Sequence, residues 1–267
     1  MKPFLAAAAT ALVLYGTCVT GAVINVPKTT DPVTIDGTIN PTEWSKAAVV
    51  TSASFSMLNA WPDPAVPWAV ANKCYIMWDD NNLYVAFDVH DIYLTAADTG
   101  WWNDDYTWIS LDRNGEGGAY AMTDDYYIAT SFRDLAFPSI PKELEQVIWP
   151  RVGNGVAYGA WQVWSPTGLN WAWHTMGTIN DNLDIDTGYT FELAIPWSQV
   201  VGGAPSIGQP CRFEFNVVDN PPSPTWYNVL TGPMPMVWDA ILHAPDNWQQ
   251  GVFTGSSTAV DEWQLYQ

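Results

Sequence analysis

The side chains of this sequence best suited to chemistry are its tryptophans, seventeen in 267 residues, and its carboxylates, twenty-eight against nine Lys and Arg. An indole presents a flat apolar face and one N–H donor, so it is favoured where one side is apolar and the other wet. The C–H face of a pyranose ring can lie on such a surface while neighbouring polar groups bond its hydroxyls. Most of these rings belong in a core. Trp44, Trp78 and Trp197 are assigned there, because large aromatics dominate burial. Trp102 and Trp248 stand apart, in the polar loops Gly100-Trp101-Trp102-Asn103-Asp104-Asp105 and Ala244-Pro245-Asp246-Asn247-Trp248-Gln249-Gln250.

Carboxylates pair at Asp79-Asp80, Asp104-Asp105 and Asp124-Asp125. Such pairs offer calcium the hard oxygen ligands it prefers, or sugar hydroxyls their acceptors. Aspartate also initiates turns, and that use accounts for most pairs of this kind. Nothing marks one pair as the acid and base of a glycosidase. The sequence has no Gly-x-Ser-x-Gly, His-Glu-x-x-His or Cys-x-x-Cys motif, so no catalytic residue is assigned. His90, His174 and His243 are scattered. With Met77, Met122, Met176, Met234 and Met236 they supply the ligand types that haem iron takes, and His174-Thr175-Met176 lies in a Trp-rich stretch. Met filling irregular core gaps explains the same residues. The expectation is therefore no required cofactor, with calcium left open and haem disfavoured.

The elements that must position these groups are strands. Tyr75 and Met77 alternate against Cys74, Ile76 and Trp78; Asp79-Asp80-Asn81-Asn82 turns the chain; then Leu83, Val85, Phe87 and Val89 alternate with Tyr84, Ala86, Asp88 and His90. Period-two alternation about an Asp/Asn turn predicts a hairpin. A further strand is predicted over 106–112. Residues 133–187 read as strands with long connections, and carry Trp149, Trp161, Trp164, Trp171 and Trp173. The first 22 residues, with Lys2 before the apolar run Phe4 to Tyr15 and small residues at Thr20-Gly21-Ala22, read as an export signal. Residues 23–267 then form one module, since all-β domains of this length are routine. Cys74 and Cys211 remain after export, and an oxidising compartment predicts their disulfide. The net charge of −19 disfavours nucleic acid and anionic membranes as partners.

Four stretches resemble family 9 carbohydrate-binding modules, within the DOMON-like sandwiches. They are Ile35 to Trp44 (IDGTINPTEW), the region 74–112, Gly188 to Trp197 (GYTFELAIPW) and Ile207 to Asp219 (IGQPCRFEFNVVD). The resemblance covers residues 31–255. It implies an antiparallel, two-sheet jelly-roll sandwich with long loops, and two tryptophans that sandwich a terminal sugar. Trp102, three residues before Asp105, matches the first, and Trp248 the second, with Trp101 and Trp238 as near alternatives. The family's carboxylate, amide and arginine do not carry over: their positions fall at Trp108, Tyr126 and Ile128.

These readings give a secreted, non-catalytic carbohydrate-binding protein. Its expected ligand residues are Trp101, Trp102, Asn103, Asp104, Asp105, Tyr126, Asn247 and Trp248. The expected partners are a glycan and a secreted glycoside hydrolase or cell-surface assembly, without nucleic acid or membrane insertion. The alternatives are a haem-binding electron-transfer domain and an extracellular structural protein that binds no sugar.

Overall fold

The computed structural model describes residues 23–51, 56–58, 72–96, 104–139, 147–157, 159–181, 183–219, 227–230 and 244–256. The strands form two sheets. The larger runs in the order β1 (Ile24–Pro27), β14 (Gln249–Thr254), β12 (Pro210–Asp219), β6 (Tyr106–Asp112), β7 (Asp125–Ser131), β8 (Ile148–Gly153) and β9 (Trp161–Val163); β13 (Tyr227–Leu230) also pairs with β12, and β3 (Ser56–Leu58) with β13. The smaller runs β10 (Asn170–Met176), β11 (Gly188–Pro196), β5 (Asn82–Val89), β4 (Lys73–Trp78), β2 (Ala48–Thr51). Among the described residues, every strand pair is antiparallel except β1 with β14.

The hairpin predicted from alternation is β4–β5. Its turn closes because the Asp79 carboxylate accepts the Asn81 and Asn82 N–H groups and the Tyr84 hydroxyl. Cys74, Ile76 and Trp78 point inward with Leu83, Val85, Phe87 and Val89. From the larger sheet, Ile109, Leu111, Ile128, Phe213, Phe215 and Val217 complete the same core. Phe87 lies 6.4 Å from Phe215 across the sandwich. Trp44, Trp78 and Trp197 are buried as expected. The Trp78 indole N–H is shared between the Val26 and Thr254 carbonyls, which ties β4 of one sheet to β1 and β14 of the other.

A second tie closes the outer face of the smaller sheet. The carboxylate of Glu192 on β11 is fully buried and accepts three bonds: Asp36 N (2.9 Å), Gly37 N (2.8 Å) and Trp44 Nε1 (2.8 Å). This holds the Ile35-Asp36-Gly37 loop and Trp44 over Met77, Tyr84, Ala86 and Ala194. Gly37 is required: its φ is +89°, and a Cβ there would sit 2.6 Å from the Trp173 carbonyl carbon.

The expected disulfide is absent, and Cys74 and Cys211 are free, buried thiols. Cys74 pairs in register with Phe87, which packs on Phe215. Cys211 lies four residues from Phe215 along β12, or about 13 Å at the rise of an extended strand. A bridge needs Cα atoms within about 7 Å. Burial instead pushes both thiols well above their ordinary pKa.

Two outcomes follow from this packing. Glu192→Ala strands two buried donors at about 1–3 kcal/mol each and a partly buried third, so it should cost about 3 kcal/mol in a urea melt. Thiol labelling of the denatured, unreduced protein should find Cys74 and Cys211 both free; one blocked pair would overturn their separation.

Candidate functional site

Alternation gives the larger sheet a second apolar face, turned away from the core. On β6 the outward residues are Tyr106, Trp108, Ser110 and Asp112; on β7 they are Asp125, Tyr127, Ala129 and Ser131; on β12, Arg212, Glu214, Asn216 and Val218. Tyr106, Trp108, Tyr127, Ala129, Trp149 and Val218 pack as one buried cluster, with Trp161 against it. Tyr106 stacks on Trp108 at 5.6 Å, Trp108 meets Tyr127 edge-on at 6.0 Å, and Tyr127 meets Trp161 at 5.6 Å.

Register orders this face into rows. One runs Asn216, Trp108, Ala129, Trp149; the next runs Glu214, Ser110, Tyr127, Arg151. The β12–β14 register, extended by one residue, sets Trp248 opposite Glu214. The chain turns into this position because Arg212 Nη1 donates to the carbonyls of Pro245 and Asp246 and Trp248 N donates to the Pro245 carbonyl. Asp112, which accepts Gly115 and Gly117 N–H, lies 3.8 Å from Arg212 Nε.

Polar groups are set into this aromatic face. Glu214 is fully buried and accepts the Ser110 hydroxyl at 3.1 Å. Burial pushes its carboxyl up to about 8, so it is protonated at neutral pH. Asn216, also fully buried, has neither amide atom paired.

The sequence-derived residues meet this face unevenly. Trp101, Trp102, Asn103 and Trp238 lie outside the described residues, as do Met234, Met236, His243 and the export signal. Asp104 is buried and accepts Ser131 Oγ at 2.8 Å, with Arg133 Nε at 3.4 Å. Asp105 accepts the Thr95 N–H and bonds Asp91. Asn247 is half-buried in the turn before β14. Trp248 does not lie open; it is 1 % exposed.

Tyr126 is a correction. It faces the core, its ring 4.5 Å from Trp164 and its hydroxyl accepting Val201 N. Tyr127 and Ala129 share the face with Trp108, so the positions matched to Tyr126 and Ile128 were one residue out of register. In a strand that moves a side chain to the opposite face. Glu214 and Asn216 were missed, though their alternation with Phe213, Phe215 and Val217 is plain in the sequence.

Other acidic pairs bond groups of the protein itself: Asp79 accepts Asn81 and Asn82 N–H, and Asp125 accepts Met122 N–H. Asp80 pairs with Lys28, and Asp124 accepts Asn114 Nδ2 at 2.8 Å. Among the described residues, no group of three or more His, Cys, Asp and Glu gathers as a metal site. His174 and Met176 line a groove of about 600 Å³ on the smaller sheet's outer face, with Trp44, Tyr75, Asp88 and Thr190. Two residues apart on one strand, they face the same way. Axial haem ligands must approach iron from opposite sides, so this pair does not fit it.

The family model described as carbohydrate family 9 binding domain-like matches residues 35–231. The chain belongs to this family. Its domains bind carbohydrate, and so does this one. No functionally curated protein matches the chain. Two solved structures of a family 9 carbohydrate-binding module from Caldicellulosiruptor kristjanssonii share its fold. One, in complex with cellotriose, has TM-score 0.60 and 18% identity, covering 90% of this chain and 97% of the other. The second, in complex with glucose, has TM-score 0.59 and 16% identity, covering 89% and 99%.

The Glu214 carboxyl makes stability depend on pH with a definite sign. Its folded pKa, about 8, lies above the ordinary 4.5, so the folded state holds a proton that the unfolded chain releases. That contribution is full below pH 4.5 and is lost as pH rises through 8. The charged and titratable neighbours are Arg151, Arg212, Asp112, Asp125 and Tyr127. Glu214→Gln should flatten the fall in stability between pH 5 and 8 by up to about 1.4 kcal/mol per pH unit, one proton's worth. Thermal melts of both proteins across that range measure it; parallel slopes would refute the assignment.

Proposed function

We propose that residues 23–267 act as an exported glycan-binding module whose ligand lies against the outer face of the larger sheet. The observation that carries this reading is the aromatic cluster on that face, with Glu214 and Asn216 set among its rings. Apolar rings suit the C–H face of a pyranose, and embedded polar groups suit its hydroxyls. A neutral Glu214 can donate as well as accept. Trp248, beside Glu214 in register, is buried behind this face and supports its rings.

The ligand class is a gluco-configured oligosaccharide, in keeping with the cellotriose and glucose of the two structures above. Affinity comes from stacking, because a single rim hydrogen bond nets only about 0.5–1.5 kcal/mol against water. The module holds the sugar and does not cleave it, in support of a secreted glycoside hydrolase or a cell-surface assembly. It needs no cofactor for this.

Titration calorimetry with cellotriose is the test. Trp108→Ala and Trp248→Ala should each weaken binding by roughly 30-fold, as aromatic anchors do. Both rings are buried, so Phe variants and thermal melts separate lost affinity from lost fold. A wild-type protein that binds no glycan supports the structural-protein reading instead. Release of reducing sugar by the pure protein would overturn the non-catalytic one.

A further inference from the structure

Resting on the glycan-binding reading, we propose that the groove on the outer face of the smaller sheet is a second glycan site, which takes a neutral sugar ring of an oligosaccharide and makes the protein bivalent. The groove holds about 600 Å³, within the range of small-molecule sites. Its floor is β4, β5, β11 and β10, so it lies on the opposite side of the sandwich from the aromatic cluster of the larger sheet.

Its polar groups fall into one row. Register sets Lys73 opposite Asp88, Asp88 opposite Thr190, and Thr190 opposite His174. At the ordinary spacing of strands, Asp88 and His174 stand about 10 Å apart with Thr190 between them. Thr190 is short and buried, and its hydroxyl is committed to the Gly37 carbonyl. It makes a low floor between a carboxylate and an imidazole. Tyr75, diagonal to Asp88 on the neighbouring strand, supplies an aromatic wall. It is half-buried, and the Trp44 ring braces it edge-on at 6.2 Å. Thr38 and Ile39 form the facing wall, on the loop that the Glu192 carboxylate fastens at Asp36 and Gly37. Among the described residues, no hydrogen bond takes the Tyr75 hydroxyl or the His174 ring.

This chemistry selects a neutral polyol. A metal ion is not served: Lys73 Nζ already lies 3.8 Å from the Asp88 carboxylate, and an imidazole about 10 Å away cannot share an ion whose ligands sit within about 2.6 Å. A polyphosphate would meet the Asp88 charge on a chain of net charge −19. An apolar ligand would desolvate the phenol, the carboxylate and the imidazole without bonding them. A pyranose over Thr190 satisfies all three: its C–H face lies against the Tyr75 ring, and its hydroxyls donate to Asp88 and bond His174. The two outer faces look away from each other, so one short oligosaccharide cannot occupy both sites. The groove therefore takes a second sugar chain, and the module bridges the two.

The test is titration calorimetry of the whole protein with cellotriose, in the wild type and in Tyr75→Ala, Tyr75→Phe, Asp88→Asn and His174→Ala. The wild type should bind two cellotrioses per chain. Tyr75→Ala should bind one, its groove affinity falling roughly 30-fold with the loss of the aromatic wall. Tyr75→Phe keeps the ring and should hold both sites. Asp88→Asn and His174→Ala each weaken one rim hydrogen bond, and should lower groove affinity about three- to tenfold. Should Tyr75→Ala fail to fold, those two variants, on side chains open to solvent, carry the same comparison. One cellotriose per chain, bound equally by the wild type and every variant, would overturn the second site and leave the glycan reading standing. One per chain that is lost in Tyr75→Ala while the fold holds would keep the groove and overturn the placement on the larger sheet. Absence of any binding by the wild type would bring down both.

Discussion

Successive side chains of a strand point to opposite faces, and the larger sheet of this molecule uses both of them. On β6, β7 and β12 one set of alternate residues fills the sandwich core and the other builds an aromatic cluster behind it. A sheet of this kind is buried on both sides, so its strands read as nearly continuous apolar runs broken by a few polar residues. Those few are informative. Ser110, Glu214 and Asn216 occur in segments where every neighbour is apolar or aromatic. Their cost in stability is not repaid by the core, which lies on the other face.

Glu192 and Glu214 show two uses of a buried carboxyl. Glu192 is met by three donors, and in return it fixes the Ile35-Asp36-Gly37 loop and Trp44 over the smaller sheet. It is structural, with its bonds satisfied inside the protein. Among the described residues, Glu214 is met by Ser110 alone, and burial keeps its proton on to about pH 8. A protonated acid can donate as well as accept. The same chemistry at the two sites differs in what surrounds it: a closing loop in one, rings in the other.

The hairpin β4–β5, strand β6 and the burial of Trp44, Trp78 and Trp197 were legible because alternation is local and Asp79-Asp80-Asn81-Asn82 declares its turn. The Glu192 tie was not, since its partners lie 148–156 residues away and no spacing announces them. Trp248 was read as an open wall from its polar neighbours. Those neighbours are polar because they form a turn fastened by Arg212, and the ring itself is buried. The cysteines were paired by compartment and count, which say nothing of distance; four residues of β12 were enough to separate them. Tyr126 was taken for Tyr127, a slip of one residue that period-two geometry turns into the wrong face.

That slip bears on how a ligand is read. With Tyr127 and Ala129 as the true neighbours of Trp108, β7 offers a phenol and a methyl where an amide and a cation were sought. β12 lies the same strand spacing away on the opposite side, about 4.8 Å. A polar group moved from β7 to β12 therefore keeps its distance from the aromatic bed and reverses its direction. Stacking on an aromatic surface tolerates this, because it fixes a ring's plane but not which edge faces which strand. Change in the hydrogen-bonding set is then compatible with an unchanged stacking surface, and the two can vary separately in sequence.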